Sequence, residues 1–253
     1  MNFALRAGGV HLLGTLFAAA CVACLVFVLW FPWPFYAVAP GWNLFWLIIS
    51  VDIVCGPILT GVLWNPLKPR KELILDVGFV ILIQAAALVY GLHTVVEARP
   101  VWLVFEVDRF RLVTAAEVMV EDLPSAPHSL QKLSWTGPRL IGVRESGSGE
   151  ETLRSIELSL AGQEPSLRPG WWRSYEDSRS DVQRRMQPLI ALHTSRSEQQ
   201  QAEIDSAVKK THRTIDQLRY LPLVSRKSLD DWIVLLDQEA SIVGYAAVGG
   251  FEN

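Results

Sequence analysis

The chain has 253 residues, 50% of them hydrophobic, with 23 Lys and Arg against 26 Asp and Glu and a net charge of −3. Length alone admits one domain or two, so the distribution of charge has to divide the chain. After Val96 lie 19 of the basic and 23 of the acidic residues, a balance of about −4 (19 minus 23), which excludes the basic patch that would bind nucleic-acid phosphates.

The first hundred residues are suited to lipid. Between Arg6 and Asp52 there is no formally charged side chain, and before Glu97 the only acids are Asp52, Glu72 and Asp76. A bilayer core about 30 Å thick is crossed by about 20 apolar residues rising about 1.5 Å each. Three stretches qualify, at about 7–31, 42–64 and 73–95. The first is too long for a secretory signal peptide and has no small-residue cleavage pattern, so it is expected to remain as an anchor. Cys21, Cys24 and Cys55 all fall in these stretches, which leaves the polar part without a disulfide framework or thiolate metal site.

Orientation follows from where Lys and Arg flank the spans. The loop after the second span carries Lys68, Arg70 and Lys71, whereas residues 32–41 carry no charge. The N-terminus is therefore expected in the cytoplasm. The aromatic residues Phe31, Trp33, Phe35, Tyr36 and Trp42 are expected at the outer interface, and the part after the third span in the periplasm of a Gram-negative host. The domains are then residues 1–97 in the membrane and residues 98–253 outside it.

A carboxylate inside a span is costly enough to count as a candidate site. Asp52 lies 12 residues before Trp64 and Gln84 lies 11 after Leu73, so in antiparallel helices they share a depth near the midplane. Either they hydrogen-bond and fasten the two helices, or Asp52 receives a polar group from a partner's membrane helix, or it meets water or a proton. Gly56 and Pro57 follow one turn later, and a proline bend there would open a lateral groove beside Asp52. Asp76, one turn inside its span, is expected to reach toward Lys68 or Lys71.

Beyond the spans, residues 101–107 and 110–113 predict a hairpin across Asp108 and Arg109, residues 138–144 a strand, and residues 150–160 a short helix. Trp171 and Trp172, in a loop at 168–175, form either an exposed periplasmic contact or a lid on the core. Residues 181–218 predict helix in two pieces, interrupted at Pro188. Ile204, Val208, Thr211, Ile215 and Leu218 form one apolar stripe suited to packing on a sheet. Residues 232–236 and 242–248 predict a closing hairpin. The fold class is a membrane protein of three transmembrane helices followed by an α+β domain, an antiparallel sheet covered on one face.

No GxSxG, Walker A, HExxH or GxGxxG pattern is present, and His128, His193 and His212 lack metal-ligand spacing. Neither catalysis nor a cofactor is expected. A membrane-anchored periplasmic ligand-binding or sensor protein is the alternative, though only a short N-terminus and one loop remain for a cytoplasmic output.

Several runs resemble one family. They are Val51–Asp52–Ile53–Val54–Cys55–Gly56–Pro57 in the second span, Arg99–Pro100 through Val104–Phe105–Glu106–Val107–Asp108–Arg109–Phe110 past the third, Thr136–Gly137–Pro138–Arg139–Leu140, and Leu218–Arg219–Tyr220–Leu221–Pro222 with Trp232 to Asp237. In consistent order over most of the chain, they resemble the type IV pilin accessory proteins. The resemblance implies a multi-pass helper of the cell inner membrane in fimbrium biogenesis, with a type IV pilin (the major subunit) and the lipid bilayer as partners, and self-association as a further possibility. It implies no catalytic residues.

Overall fold

The computed structural model describes residues 2–65 and 67–251, the side chains of residues 2–5, Trp42 and Leu44 excepted; the expectation for the Trp42 side chain lies outside them. The chain forms two compact units, Met1–Pro32 with Pro40–Arg99, and Trp33–Ala39 with Pro100–Asn253.

Among the described residues, the first unit holds three helices long and apolar enough to cross a membrane. They are α1 (Asn2–Cys24, continued as a π-helical stretch Leu25–Trp30), α3 (Gly41–Leu63) and α4 (Arg70–Glu97). Helix α3 is the middle helix, because both neighbours approach it at glycines. On α1, a Cβ at Gly8 would lie 3.2 Å from the Pro57 carbonyl, and on α4 a Cβ at Gly91 would lie 2.7 Å from Ile48. Without an aqueous phase to drive helices together, such close backbone approach supplies the packing. Further along, the Phe27 ring meets Phe45 edge-on at 4.8 Å, and His11 Nδ1 lies 2.6 Å from Thr60 Oγ1. Lys68 Nζ reaches Asp76 at 2.5 Å, as the loop composition predicted.

The second unit is an α+β domain. Its eight strands are β1 (Pro100–Glu106), β2 (Arg109–Thr114), β3 (Arg139–Val143), β4 (Trp172–Ser174), β5 (Gln187–Pro188), β6 (Arg219–Val224), β7 (Trp232–Leu236) and β8 (Ile242–Ala246). They run in the order β4-β3-β1-β2-β6-β7-β8, with β5 beside β6. The predicted hairpins β1–β2 and β7–β8 are present, the first turning at Val107–Asp108, one residue earlier than expected.

The sheet is mostly antiparallel but mixed, because β1 pairs β3 and β2 pairs β6 in parallel. It is also not covered on one face alone. All seven residues of β1 are buried, and successive side chains of a strand point to opposite faces, so both faces are covered there. On one face lie two core clusters. The first gathers Trp102, Val113, Ile141 and Trp172 beneath the irregular segments, and the second gathers Ile204, Leu218, Tyr220, Ile233 and Leu235 beneath the helices. On the other, helix α6 (Tyr175–Arg185) brings the Tyr175 ring to 6.2 Å from Phe110. Its Ser178 lies against Gly142, where a Cβ would be 2.7 Å from the Ser178 Cβ.

The helical stretch expected at 181–218 is three helices: α6, α7 (Leu189–Ser195) and α8 (Glu198–Thr211). Ser197 and Gln200 form a capping box that starts α8 afresh, and His212 ends it in the left-handed conformation at φ 56°. Ile215 and Leu218 are thus outside the helix, yet both join the same core as Ile204 and Val208.

Trp33–Ala39, which includes the short helix α2 (Phe35–Val38), completes this domain. Ser225 Oγ donates to the Val38 carbonyl at 2.7 Å and Lys227 Nζ to the Ala37 carbonyl at 3.0 Å. The Phe35 and Trp33 rings meet Tyr245 edge-on at 5.6 and 5.9 Å. Beside them is a cavity of about 410 Å³ lined by Leu103 and Leu140 as well as Ile242 and Tyr245, so the sheet curls until strands far apart in its order face one space. Burial pushes the Tyr245 phenol up to about 12. Phe35→Ala should therefore destabilise the C-terminal domain by about 3 kcal/mol, lowering the midpoint of its thermal unfolding in detergent by roughly 6–12 °C. An unchanged midpoint would remove this segment from the domain core.

Candidate functional site

The residues singled out in the second and third spans do meet, with a different bond from the one expected. Gln84 Nε2 donates to the backbone carbonyl of Asp52 at 3.0 Å and not to its carboxylate. Gly56 makes this possible, since a Cβ there would lie 2.6 Å from the Gln84 amide carbon. The side chain of Asp52, 8% exposed, lines a groove of about 720 Å³ whose walls are α1 (Val10, Gly14, Ala18) and α4 (Ile81, Ala85, Leu88). Among the described residues no hydrogen bond or ion pair reaches that carboxylate, and Gln84 Oε1 is buried without a donor.

Pro57 stays within one continuous α3. The groove arises because α1 and α4 each pack on α3, and because small residues line it. Its volume is comparable to roughly one to two turns of a helix about 10 Å across. Thr60 and His11 extend its polar floor, and Arg6 stands at the end where Trp64 lies. Asp52, Gly56 and Thr60 recur every fourth residue, the spacing of one helix face, and that signal identifies Thr60 from the sequence.

Trp171 and Trp172 part company. Trp172 is 2% exposed, donates Nε1–H to the Ser166 carbonyl at 2.8 Å and packs 5.3 Å from Trp102, so it is part of the core. Trp171 is half-buried between Arg144 and Arg168, whose guanidinium carbons lie 4.4 and 5.0 Å from the ring centre. It lines a cleft of about 900 Å³ together with Glu106, Val107, Arg144, Ile156 and Leu160. Along this cleft runs α5 (Gly149–Leu160), which has no buried residue and exposes Leu153, Ile156 and Leu160. Arg144 in turn pairs with Glu151 at 2.6 Å and holds that carboxyl at about 2.

Burial pushes the Glu106 carboxyl above the usual range, against Ser166 and Arg111, which pull the other way. A folded-state value above the unfolded one near 4.3 means that the stability is full below about pH 4 and is lost as pH rises through the folded value. Glu106→Gln should then raise the unfolding temperature at pH 7 to 8 and leave it unchanged below about pH 4. Parallel melting curves of the two proteins across that range check it, and a variant less stable at pH 8 would contradict it.

Among the described residues no group of three or more His, Cys, Asp or Glu could hold a metal ion.

Comparison with known proteins locates the chain. A family model described as "Fimbrial assembly protein FimB" matches residues 1–39. The "Fimbrial assembly protein, serogroup I" of Dichelobacter nodosus is 33% identical over 250 residues, covering 99% of this chain and 97% of the relative. The serogroup E1 protein of the same organism is 32% identical over 250 residues with the same coverage. That of serogroups C1 and C2 is 40% identical over 124 residues, 49% of this chain and 95% of that protein. No solved structure matches.

Proposed function

Because the chain belongs to the fimbrial assembly protein family, a family of fimbrial biogenesis, we propose that it is a non-catalytic inner-membrane helper that binds a type IV pilin through the pilin's apolar membrane helix. The observation that carries this reading is the groove between α1 and α4. It is apolar, open along the membrane unit and large enough for part of a helix, and its one buried carboxylate belongs to the middle helix. Holding an apolar helix in lipid requires close packing from small side chains, and Gly14, Ala18 and Ala85 supply it.

The orientation in this reading follows from charge. Arg6, Lys68, Arg70 and Lys71 flank the same ends of the spans, which the positive-inside rule assigns to the cytoplasm, so the C-terminal domain is periplasmic. There it is free to contact the pilin's head, and the cleft at Trp171 and α5 is the surface best suited to it. A cysteine placed at Leu229, which is exposed, should react with a membrane-impermeant thiol reagent in intact spheroplasts. Labelling only after lysis would reverse the topology.

Deletion of the gene in its host should lower sheared surface pilin while total cellular pilin holds. The groove itself is tested by filling it. Ala85→Trp is on an exposed wall and a Cβ at Gly14 meets nothing within 4 Å, so neither Ala85→Trp nor Gly14→Trp disturbs the packing on α3. Each should accumulate normally yet reduce surface pilin about as far as the deletion. Normal surface pilin in both would sink the groove, and would favour a ligand-binding role for the C-terminal domain.

A further inference from the structure

We infer that the floor of the groove is a receptor for a positively charged nitrogen, an ammonium or guanidinium, carried at mid-bilayer depth by the membrane helix that occupies it. The inference rests on the groove reading above and adds the chemistry of recognition. Asp52 is the twelfth of the 23 residues of α3, so about 16 Å of helix separates it from either end. Its carboxylate, in the groove, accepts no hydrogen bond from any described residue, and Gln84 spends its N–H on the Asp52 backbone, leaving Oε1 buried without a donor. Acceptors without a donor fit a group that donates. Ammonium and guanidinium donate without accepting, as an indole N–H also does, and of these groups only the two cations bring the charge that a carboxylate favours.

The chain's own cations do not fill this place. Gly8 against the Pro57 carbonyl and His11 against Thr60 set the register of α1 against α3. By these two contacts Arg6, which lines the same groove at the Trp64 end, lies about 10 to 20 Å along the axis from Asp52, and among the described residues no ion pair joins the two. Lys68 is held by Asp76. Lipid headgroup amines lie outside a hydrocarbon core about 30 Å thick and do not descend to its centre. A bound metal ion is a poor fit as well, because hard cations gather six or more oxygen ligands and no cluster of three acidic or metal-ligating side chains exists among the described residues. Among cations, the one that fits is delivered by another helix. An unpaired charge in lipid is expensive for each partner alone, so pairing favours the complex and discriminates against helices that carry no charge.

The test uses the purified full-length protein in lipid nanodiscs and two synthetic membrane-spanning Leu/Ala helices, one with a single central Lys and one with Leu there. Binding is read by fluorescence transfer. The Lys helix is expected to bind at least ten-fold tighter, the preference to vanish in Asp52→Asn and to persist in Asp52→Glu. Because Gln84 bonds the backbone of Asp52, Asp52→Asn keeps that link and should fold. Equal binding of both helices to the unaltered protein would overturn the inference without any variant, and competition by millimolar sodium would reassign the site to an inorganic cation. A photo-crosslinker at Ile81 in living cells separates the two levels. Capture of pilin without a Lys preference in nanodiscs leaves the groove and removes the charge, whereas no capture from this wall removes both.

Discussion

The membrane unit depends on one hydrogen bond, from Gln84 Nε2 to the carbonyl of Asp52. In hydrocarbon an unsatisfied polar group is penalised by several kcal/mol, so a glutamine in the middle of a span needs a partner. It finds a backbone carbonyl because Gly56, one turn on, leaves room for its amide. The consequence is that the two helices are joined without using the Asp52 side chain. A residue whose backbone is the clasp and whose carboxylate meets no hydrogen-bond or ion-pair partner among the described residues is free to serve a second partner.

Helix α3 can bear both neighbours because its two approach faces are different in kind. Toward α4 it offers Gly56 and Ile48 to Gln84 and Gly91. Toward α1 it offers the Pro57 carbonyl to Gly8 and the Thr60 hydroxyl to His11. The hydroxyl of Thr60 is a polar feature that lipid would not tolerate bare, so α1 both covers it and is placed by it. With both flanking helices committed to α3, the space between them is left for something else.

Much of this was legible in the sequence. The spans follow from length and charge, and counting residues from the span ends brought Asp52 and Gln84 to one depth. Strands β1, β2, β7 and β8 were visible because hairpins are local and their apolar runs are bounded by turn residues. What escaped was non-local. Strand β6 carries Pro222 and pairs on one side with β2, far away in the chain, and the parallel pairings of β1 with β3 and β2 with β6 leave no local signature. The break between α7 and α8 was present as the capping pair Ser197 and Gln200, and the end of α8 at His212 was hidden by the stripe that continues from Ile204 to Leu218. The bond from Gln84 went to the backbone because nothing in a residue list says which oxygen of Asp52 faces the neighbour.

The segment Trp33–Ala39 was read as an uncharged aromatic loop, and its composition suits that reading as well as the one found. Tryptophan and phenylalanine serve equally at a membrane interface and in a domain core, because both offer a large apolar surface. Here Phe35 and Val38 are buried, and their segment is tied to Ser225 and Lys227 by bonds to main-chain carbonyls, which any sequence could provide. The chain therefore passes between its two units three times, at 32/33, 39/40 and 99/100. The C-terminal domain, whose Tyr245 near the far end of the chain packs against Phe35 and Trp33, closes there only when residues contributed from before the second span are in place. Loop closure over some two hundred residues adds little more entropy than over one hundred. The arrangement thus makes completion of the domain depend on the segment Trp33–Ala39 with only a small added penalty in stability.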